Sequence, residues 1–425
     1  MTNSLAANYL GLFPVAGLAL LAALLVSKSR LAPPVKLLIY LALIFRFVGA
    51  WVRLRVAFDV YGGPMDASVY SRIGVRYADR FLSFDFSPIF NPDIWIHGRW
   101  WGGQFMYWIS GIVYAFTGPS MLGAFAGFSM LSFIGLVGFG FAFRRSFPHV
   151  PVTRYLRWIW FFPSLWFWPS SVGKEAVMIM GIGLSIWGFI GKNERINWPL
   201  LCLGLFFVMG IRPQVAAVVI LSLVLGHWLS LGGRWNLQKS AKGAVILAVG
   251  LAGIYFSMTQ IGVEGFDIEG VEAYLDYNTA RSNRGTKVEV VGVGLANIPI
   301  AMINILFRPF PWEAPNTMAL LSSLEIWGMW ALVCFKRKTF FKSLRNFRSD
   351  RLLRVAVPFI LVYSITLGML IVNLGIIARQ RIFLFPFLFL LMEAVPRVLH
   401  ERKQARLRAA AVPVYPAGVR MGTAP

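Results

Sequence analysis

Apolar runs dominate this chain, and their lengths set its architecture. Stretches near 7–27, 35–56, 120–142, 156–170, 175–191, 197–210, 213–231, 242–260, 317–335, 355–375 and 382–398 approach or exceed a membrane-crossing length, which is ~20 residues. Water cannot satisfy backbone groups in a hydrocarbon core, so such runs must be helical. The alternating ~10-residue segments of a β-barrel are not seen. The pattern predicts an all-α, polytopic transmembrane bundle of eleven or twelve spans. Segment 101–117 is either a twelfth span or a helix lying in the interface. Residues 1–400 form the transmembrane domain, followed by a basic tail over 401–425 that turns Pro/Gly/Ala-rich and disordered from Ala409.

Composition agrees with this. Of 425 residues, 57% are hydrophobic and 14% charged, where a soluble domain carries roughly a quarter. The net charge of +23 could suggest a nucleic-acid partner, but its placement argues against one. Lys28, Arg30 and Lys36 sit in one short connection, and Arg144, Arg145, Arg154 and Arg157 in another. Lys192 and Arg195 follow, then Arg234, Lys239 and Lys242, the run Lys336 to Arg354, and Arg402 to Arg408. If 101–117 does not cross, all of these fall on one face, which is then the cytoplasm. That gives eleven crossings of a bacterial inner membrane, N-terminus outside and C-terminus inside. Cys202 and Cys334 lie within spans and read as small apolar residues. Residues 1–10 lack a basic stretch before the first apolar run, so no cleaved signal peptide is expected.

The opposite face collects acids. Thirteen of the eighteen Asp and Glu residues fall there, between Asp59 and Glu313. Two external connections are long. One, 58–119, is aromatic-rich and carries an amphipathic juxtamembrane helix. Arg72, Arg76 and Arg80 form its basic stripe, and Val69, Ile73 and Tyr77 an adjacent apolar face. The other, 262–295, is polar and Gly-rich and reads as a loop over a site.

Short polar motifs then mark candidate chemistry. Gly62-Gly63-Pro64 ends a span, and Asp66 either caps the next helix or acts chemically, with Tyr70 one turn on. Pro169-Ser170-Ser171-Val172-Gly173-Lys174-Glu175 is a tight turn opening a helix. Arg212-Pro213 places an arginine between two apolar helices, where an ion is costly and so a functional candidate. Arg308-Pro309-Phe310-Pro311-Trp312-Glu313 reads as an extended wall, and Arg379-Gln380-Arg381 as another minimal turn. Arg46, Arg53 and Arg55 add charge towards the same side. Arginine matches phosphate in bidentate geometry and stays charged when partly buried. A carboxylate among such cations stays ionised and can act as a general base. No G-x-x-x-x-G-K-[ST] loop occurs, so an activated donor outside the cytoplasm would be lipid-linked. His97 is the sole external histidine and reads as an interface residue, which gives little support to a His-based metal site or a Ser/His/Asp triad. A carboxylate-bound divalent metal stays open as a cofactor.

These motifs, in order and setting over residues 35–395, resemble the C-type (GT-C) membrane glycosyltransferases. That group includes the protein O-mannosyltransferases, the aminoarabinose transferases and relatives encoded with bacterial surface-polysaccharide genes. The resemblance implies a polyprenyl-phosphate sugar donor and a glycan, lipid or protein acceptor, with transfer on the extracytoplasmic side. It implies Asp66 as the base, with Asp59 as the alternative if Asp66 only caps. Tyr70, Lys174, Glu175, Arg212, Arg308, Glu313, Arg379 and Arg381 would bind donor phosphate or substrate. Two other readings use the same exterior: an O-antigen-type polysaccharide polymerase or ligase, and a lipid or polysaccharide flippase. A flippase predicts charged residues facing each other at mid-membrane, where Arg46, Glu325 and Glu393 approach.

Overall fold

The computed structural model describes residues 5–63, 65–229, 295–370, 374–401 and 404–405. The expected span at 242–260, the polar connection 262–295, the cations at 234–242 and most of the tail 401–425 lie outside the described residues. Every regular element among the described residues is helical. In chain order these include α1 (Leu12–Lys28), α2 (Pro33–Asp59), α3 (Met65–Leu82), α4 (Gly103–Thr117), α5 (Met121–Ser146), α6 (Val152–Phe161), α7 (Pro163–Phe167) and α8 (Lys174–Phe189). Then come α9 (Trp198–Ile211), α10 (Pro213–Trp228), α11 (Ile298–Phe307), α12 (Thr317–Phe335), α13 (Arg337–Arg345), α14 (Arg351–Leu370), α15 (Leu374–Arg381) and α16 (Phe385–Glu393).

Among the described residues, five helices are long and apolar enough to cross a membrane. A sixth span results if the pair bent by 49° around residues 382–384 counts as one. These match the expected spans near 7–27, 35–56, 120–142, 317–335, 355–375 and 382–398. The expected span 156–170 is not one helix, because the chain breaks between α6 and α7 where Phe162 turns extended ahead of Pro163. A residue preceding proline is disfavoured in helical geometry. Helices α8, α9 and α10 have 16, 14 and 16 residues. At ~1.5 Å per residue each rises roughly 24 Å or less, short of a ~30 Å core. Much of α8 and α10 is buried by neighbouring helices.

Local sequence explains the helix ends. Ser120 caps α5 by accepting from the Gly123 amide at 2.9 Å, and Arg144 and Arg145 close its last turn, where cations complement the dipole. Prolines open α2, α7, α9 and α10 in the first turn, the one place where a missing N–H costs nothing.

The centre of the bundle is held by backbone contact through small residues, as is usual where lipid supplies no hydrophobic drive. A Cβ added at Gly183 of α8 would stand 2.0 Å from the Gly135 carbonyl oxygen of α5. One added at Gly204 of α9 would stand 2.6 Å from the Gly181 carbonyl oxygen. Backbone cannot retreat as a flexible side chain can. Gly183→Leu is therefore expected to cost about 3 kcal/mol and to abolish the monodisperse protein peak in mild detergent. An unchanged peak and thermal midpoint would contradict this packing.

Arg46 sits fully buried in α2. Its guanidinium donates to the carbonyls of Leu165 and Trp160 at 3.2 and 3.3 Å and lies 5.3 Å from the Phe133 ring. Those carbonyls flank the α6–α7 break, so Arg46 replaces hydrogen bonds that a continuous helix would have made.

In the first long connection, α3 is amphipathic as expected. Ile73 and Tyr77 are buried and Arg72, Arg76 and Arg80 exposed, although Val69 is exposed too. Helix α4 packs along α3. Tyr114 donates to the Ser71 hydroxyl at 2.7 Å, and Gln104 to the Tyr77 hydroxyl at 3.1 Å. Segment 101–117 therefore forms a 15-residue prop for α3.

The described basic turns after α5, α8 and α12 lie at one end of the bundle and are tied down there. Arg145 donates to the Ile190 carbonyl at 2.9 Å, Arg397 pairs with Asp350 at 3.7 Å, and Lys336 pairs with Glu393. Helices α5, α8 and α14 run from those turns to the opposite end, where a cavity opens.

Candidate functional site

A cavity of about 520 Å³ forms where the C-terminal part of α2, the first turn of α3, the start of α8, the α9–α10 junction and α15 converge. Six expected residues line it: Asp66, Tyr70, Lys174, Glu175, Arg212 and Arg379. They come from four separate stretches of sequence.

Asp66 stands in the first turn of α3, where a carboxylate complements the helix dipole. Its side chain is 80% exposed and lies 3.9 Å from Arg379. One turn further, Tyr70 lines the same cavity, since residues four apart share a helix face. Partial burial and the nearby Asp66 and Glu175 carboxylates push its phenol well above the usual range, so it stays a donor. Behind it Tyr107 packs at 5.8 Å, and His97 stacks on Tyr107 and hydrogen-bonds to it at 3.1 Å.

Gly173 lies in extended backbone, and Lys174 and Glu175 open α8 beyond it. Lys174 is half-buried. Desolvation, with Arg212 beside it, lowers its amine to about 8, partly opposed by Glu175 and Asp66. Arg212 adopts extended backbone between α9 and α10, with Pro213 starting the second helix. Its Nη1 is buried without a hydrogen-bond partner among the described residues. Arg379 projects from α15 and lies 5.4 Å from the Trp168 ring.

One principal cation had been noted only as extra charge. Arg53, two turns beyond Arg46, is 9% exposed and lines the cavity. Its guanidinium lies 5.1 Å from the Phe167 ring and 5.2 Å from Trp168, and its Nε and Nη1 have no hydrogen-bond partner among the described residues. An arginine deep in an apolar span was the available signal. Tyr61, Ser171 and Gln380 also line the cavity; Ser171 and Gln380 fall inside marked motifs without being singled out, and Tyr61 gave no signal.

Four expected residues stand elsewhere. Asp59 pairs with Arg55 one turn back at 3.0 Å, both exposed and outside the cavity lining. Arg308 is consumed by Glu313, with bonds of 2.7 to 3.1 Å, and by Asn304 at 3.2 Å. That pairing holds the Glu313 carboxyl below its ordinary range. Arg381 is 1% exposed and donates to the Arg308 carbonyl and to Ser322. These three residues form a brace behind the last turn of α15, which presents Arg379 and Gln380, so the stretch expected as a minimal turn is a helix end. Tyr363 completes it by donating to the Gln380 carbonyl at 3.1 Å.

Among the described residues, no group of three or more His, Cys, Asp or Glu side chains could hold a metal ion. Asp66 and Glu175 are the carboxylates of the cavity lining. The arrangement is a chamber lined by guanidinium and amine groups, aromatic on one side, with an exposed carboxylate beside it, a chemistry suited to an anion. Comparison with protein-family models, with curated proteins and with solved structures finds no match to this chain.

Proposed function

We propose that this protein is a GT-C-type membrane glycosyltransferase. It moves a sugar from a polyprenyl-phosphate-linked donor to a glycan, lipid or protein acceptor on the extracytoplasmic side of the bacterial inner membrane. The observation that carries the reading is the convergence of Arg53, Lys174, Arg212 and Arg379 with Asp66 around one cavity, at the end of the bundle away from the basic turns. The positive-inside rule assigns the basic end to the cytoplasm, which puts the cavity end outside it, where a lipid-linked donor is the available activated sugar.

In this reading the cations hold the donor phosphate, and Tyr70 donates a hydrogen bond to donor or acceptor. An acceptor hydroxyl attacks the anomeric carbon while its proton passes to the Asp66 carboxylate. The bond from that carbon to the phosphate oxygen breaks, and the electron pair leaves with the oxygen. Guanidinium groups fixed around that oxygen stabilise the developing charge without rearranging.

The residues a flippase would use are otherwise engaged. Arg46 is bonded to backbone carbonyls, Glu325 accepts from the Ser164 amide at 2.6 Å, and Glu393 accepts from the Trp158 indole at 2.6 Å.

Reconstituted protein given a polyprenyl-phosphate donor with a labelled sugar, together with an envelope-glycan extract, is expected to release unsugared lipid carrier. Absence of both turnover and donor binding would remove the reading. The pH dependence has a definite sign. The Lys174 amine is protonated below about 8. Donor affinity should therefore hold below that pH and fall roughly tenfold per unit above it. Lys174→Arg should move that fall to higher pH, and a flat profile to pH 9.5 would exclude Lys174 from phosphate binding.

A further inference from the structure

The charges that line the cavity also bear on the donor's head group. Four cationic side chains face two carboxylates, a surplus of two positive charges among the described lining residues. The cations form two sets. Arg53 and Arg379 share the Trp168 ring, at 5.2 and 5.4 Å from its centroid. Lys174 and Arg212 lie close enough to act on each other electrostatically. Each set contains a guanidinium with buried N–H donors that have no partner among the described residues: Nε and Nη1 of Arg53 in the first, Nη1 of Arg212 in the second. Buried N–H groups without acceptors are rare in folded proteins, and here both belong to residues that line one cavity.

We propose that the cavity binds a diphosphate diester, so that the donor is a polyprenyl-diphosphate-linked sugar rather than a monophosphate-linked one. The proposal rests on the lipid-linked-donor reading of the same site. A phosphodiester carries one negative charge and offers a single phosphoryl group, which would leave one cation set unanswered. A diphosphate diester carries two charges on adjacent phosphoryl groups, which matches both the surplus and the two guanidinium groups that carry those donors. Arginine suits this task because its planar fork takes two oxygens of one phosphoryl group. The transfer step balances as before. The acceptor proton goes to Asp66, the bond from the anomeric carbon to phosphate oxygen breaks, and the leaving group is the polyprenyl diphosphate.

Calorimetric titration of the detergent-solubilised full chain tests this directly. The probes are methylene diphosphonate and inorganic phosphate in EDTA at pH 7, with citrate as a trianion of different shape. The diphosphonate is expected to bind at least about tenfold tighter than phosphate and than citrate. Arg53→Gln and Arg212→Gln should each bring diphosphonate affinity down to that of phosphate. Phosphate itself should stay within about threefold, since one cation set remains. The wild-type comparison needs no variant to fold. Equal binding of phosphate and diphosphonate would overturn the diphosphate assignment and leave the donor site standing. Citrate binding as tightly as diphosphonate would show a cation cluster without phosphoryl selectivity and overturn it too. No binding of any anion to folded protein would overturn both.

Discussion

Asp66→Asn is expected to lower sugar transfer roughly 10³-fold, the order of effect for removing a general base, while leaving the protein folded. The second half of that expectation follows from geometry. The Asp66 carboxylate is 80% exposed, and its ion pair with Arg379 spans 3.9 Å. Such exposed pairs contribute ~0–1 kcal/mol to stability. The first half follows from position, since Asp66 is the carboxylate at the mouth of a chamber whose other charges are mainly cations. Asp59→Asn is the built-in comparison. That residue pairs with Arg55 away from the cavity, so transfer should persist at near wild-type rate. Activity lost at Asp59 and retained at Asp66 would reverse the assignment. Labelled sugar transferred per unit of purified protein gives the readout.

The largest expected effect on stability belongs to Arg46. Arg46→Ala removes the donors to the Leu165 and Trp160 carbonyls and the contact with Phe133. A buried carbonyl left without a donor costs roughly 1–3 kcal/mol, so the two together cost about 4 kcal/mol. The consequence reaches the site, because α7 leads directly into the turn that carries Trp168 and Lys174. Size-exclusion profiles and thermal midpoints in mild detergent should show loss of the folded peak for Arg46→Ala, and partial recovery for Arg46→Lys, whose amine can still reach one carbonyl. An alanine variant as stable as wild type would mean the α6–α7 break holds itself.

The long helices were legible because a membrane-crossing run leaves an unmistakable apolar block: α1, α2, α5, α12 and α14 fall where hydropathy puts them. The break at Phe162–Pro163 was not, since the surrounding residues are as apolar as any span and only the proline marks it. Asp66, Lys174 and Arg212 were legible as chemistry because charge next to a Gly or Pro turn is conspicuous in an apolar sequence, and Arg379 because it interrupts an apolar block. Their company was harder to read. Arg308 and Glu313 lie five residues apart, and a turn that short lets them satisfy each other, as they do at 2.7 Å. Arg381 differs from Arg379 by two residues, which on a helix turns one side chain into the protein and the other towards the cavity. Arg53 was hidden for the opposite reason. Inside a span it looked like one more membrane charge, and only the rings of Phe167 and Trp168, more than a hundred positions away in sequence, bring it to the site.

Single cysteines at positions 66, 174 and 379, in a chain with Cys202 and Cys334 replaced by serine, test the central claim most directly. A membrane-impermeant maleimide added to the outside of spheroplasts should label all three, and added polyprenyl diphosphate should protect all three together. Labelling of any of them only from the cytoplasmic side, or protection of one without the others, would mean that these side chains do not share one outward-facing chamber.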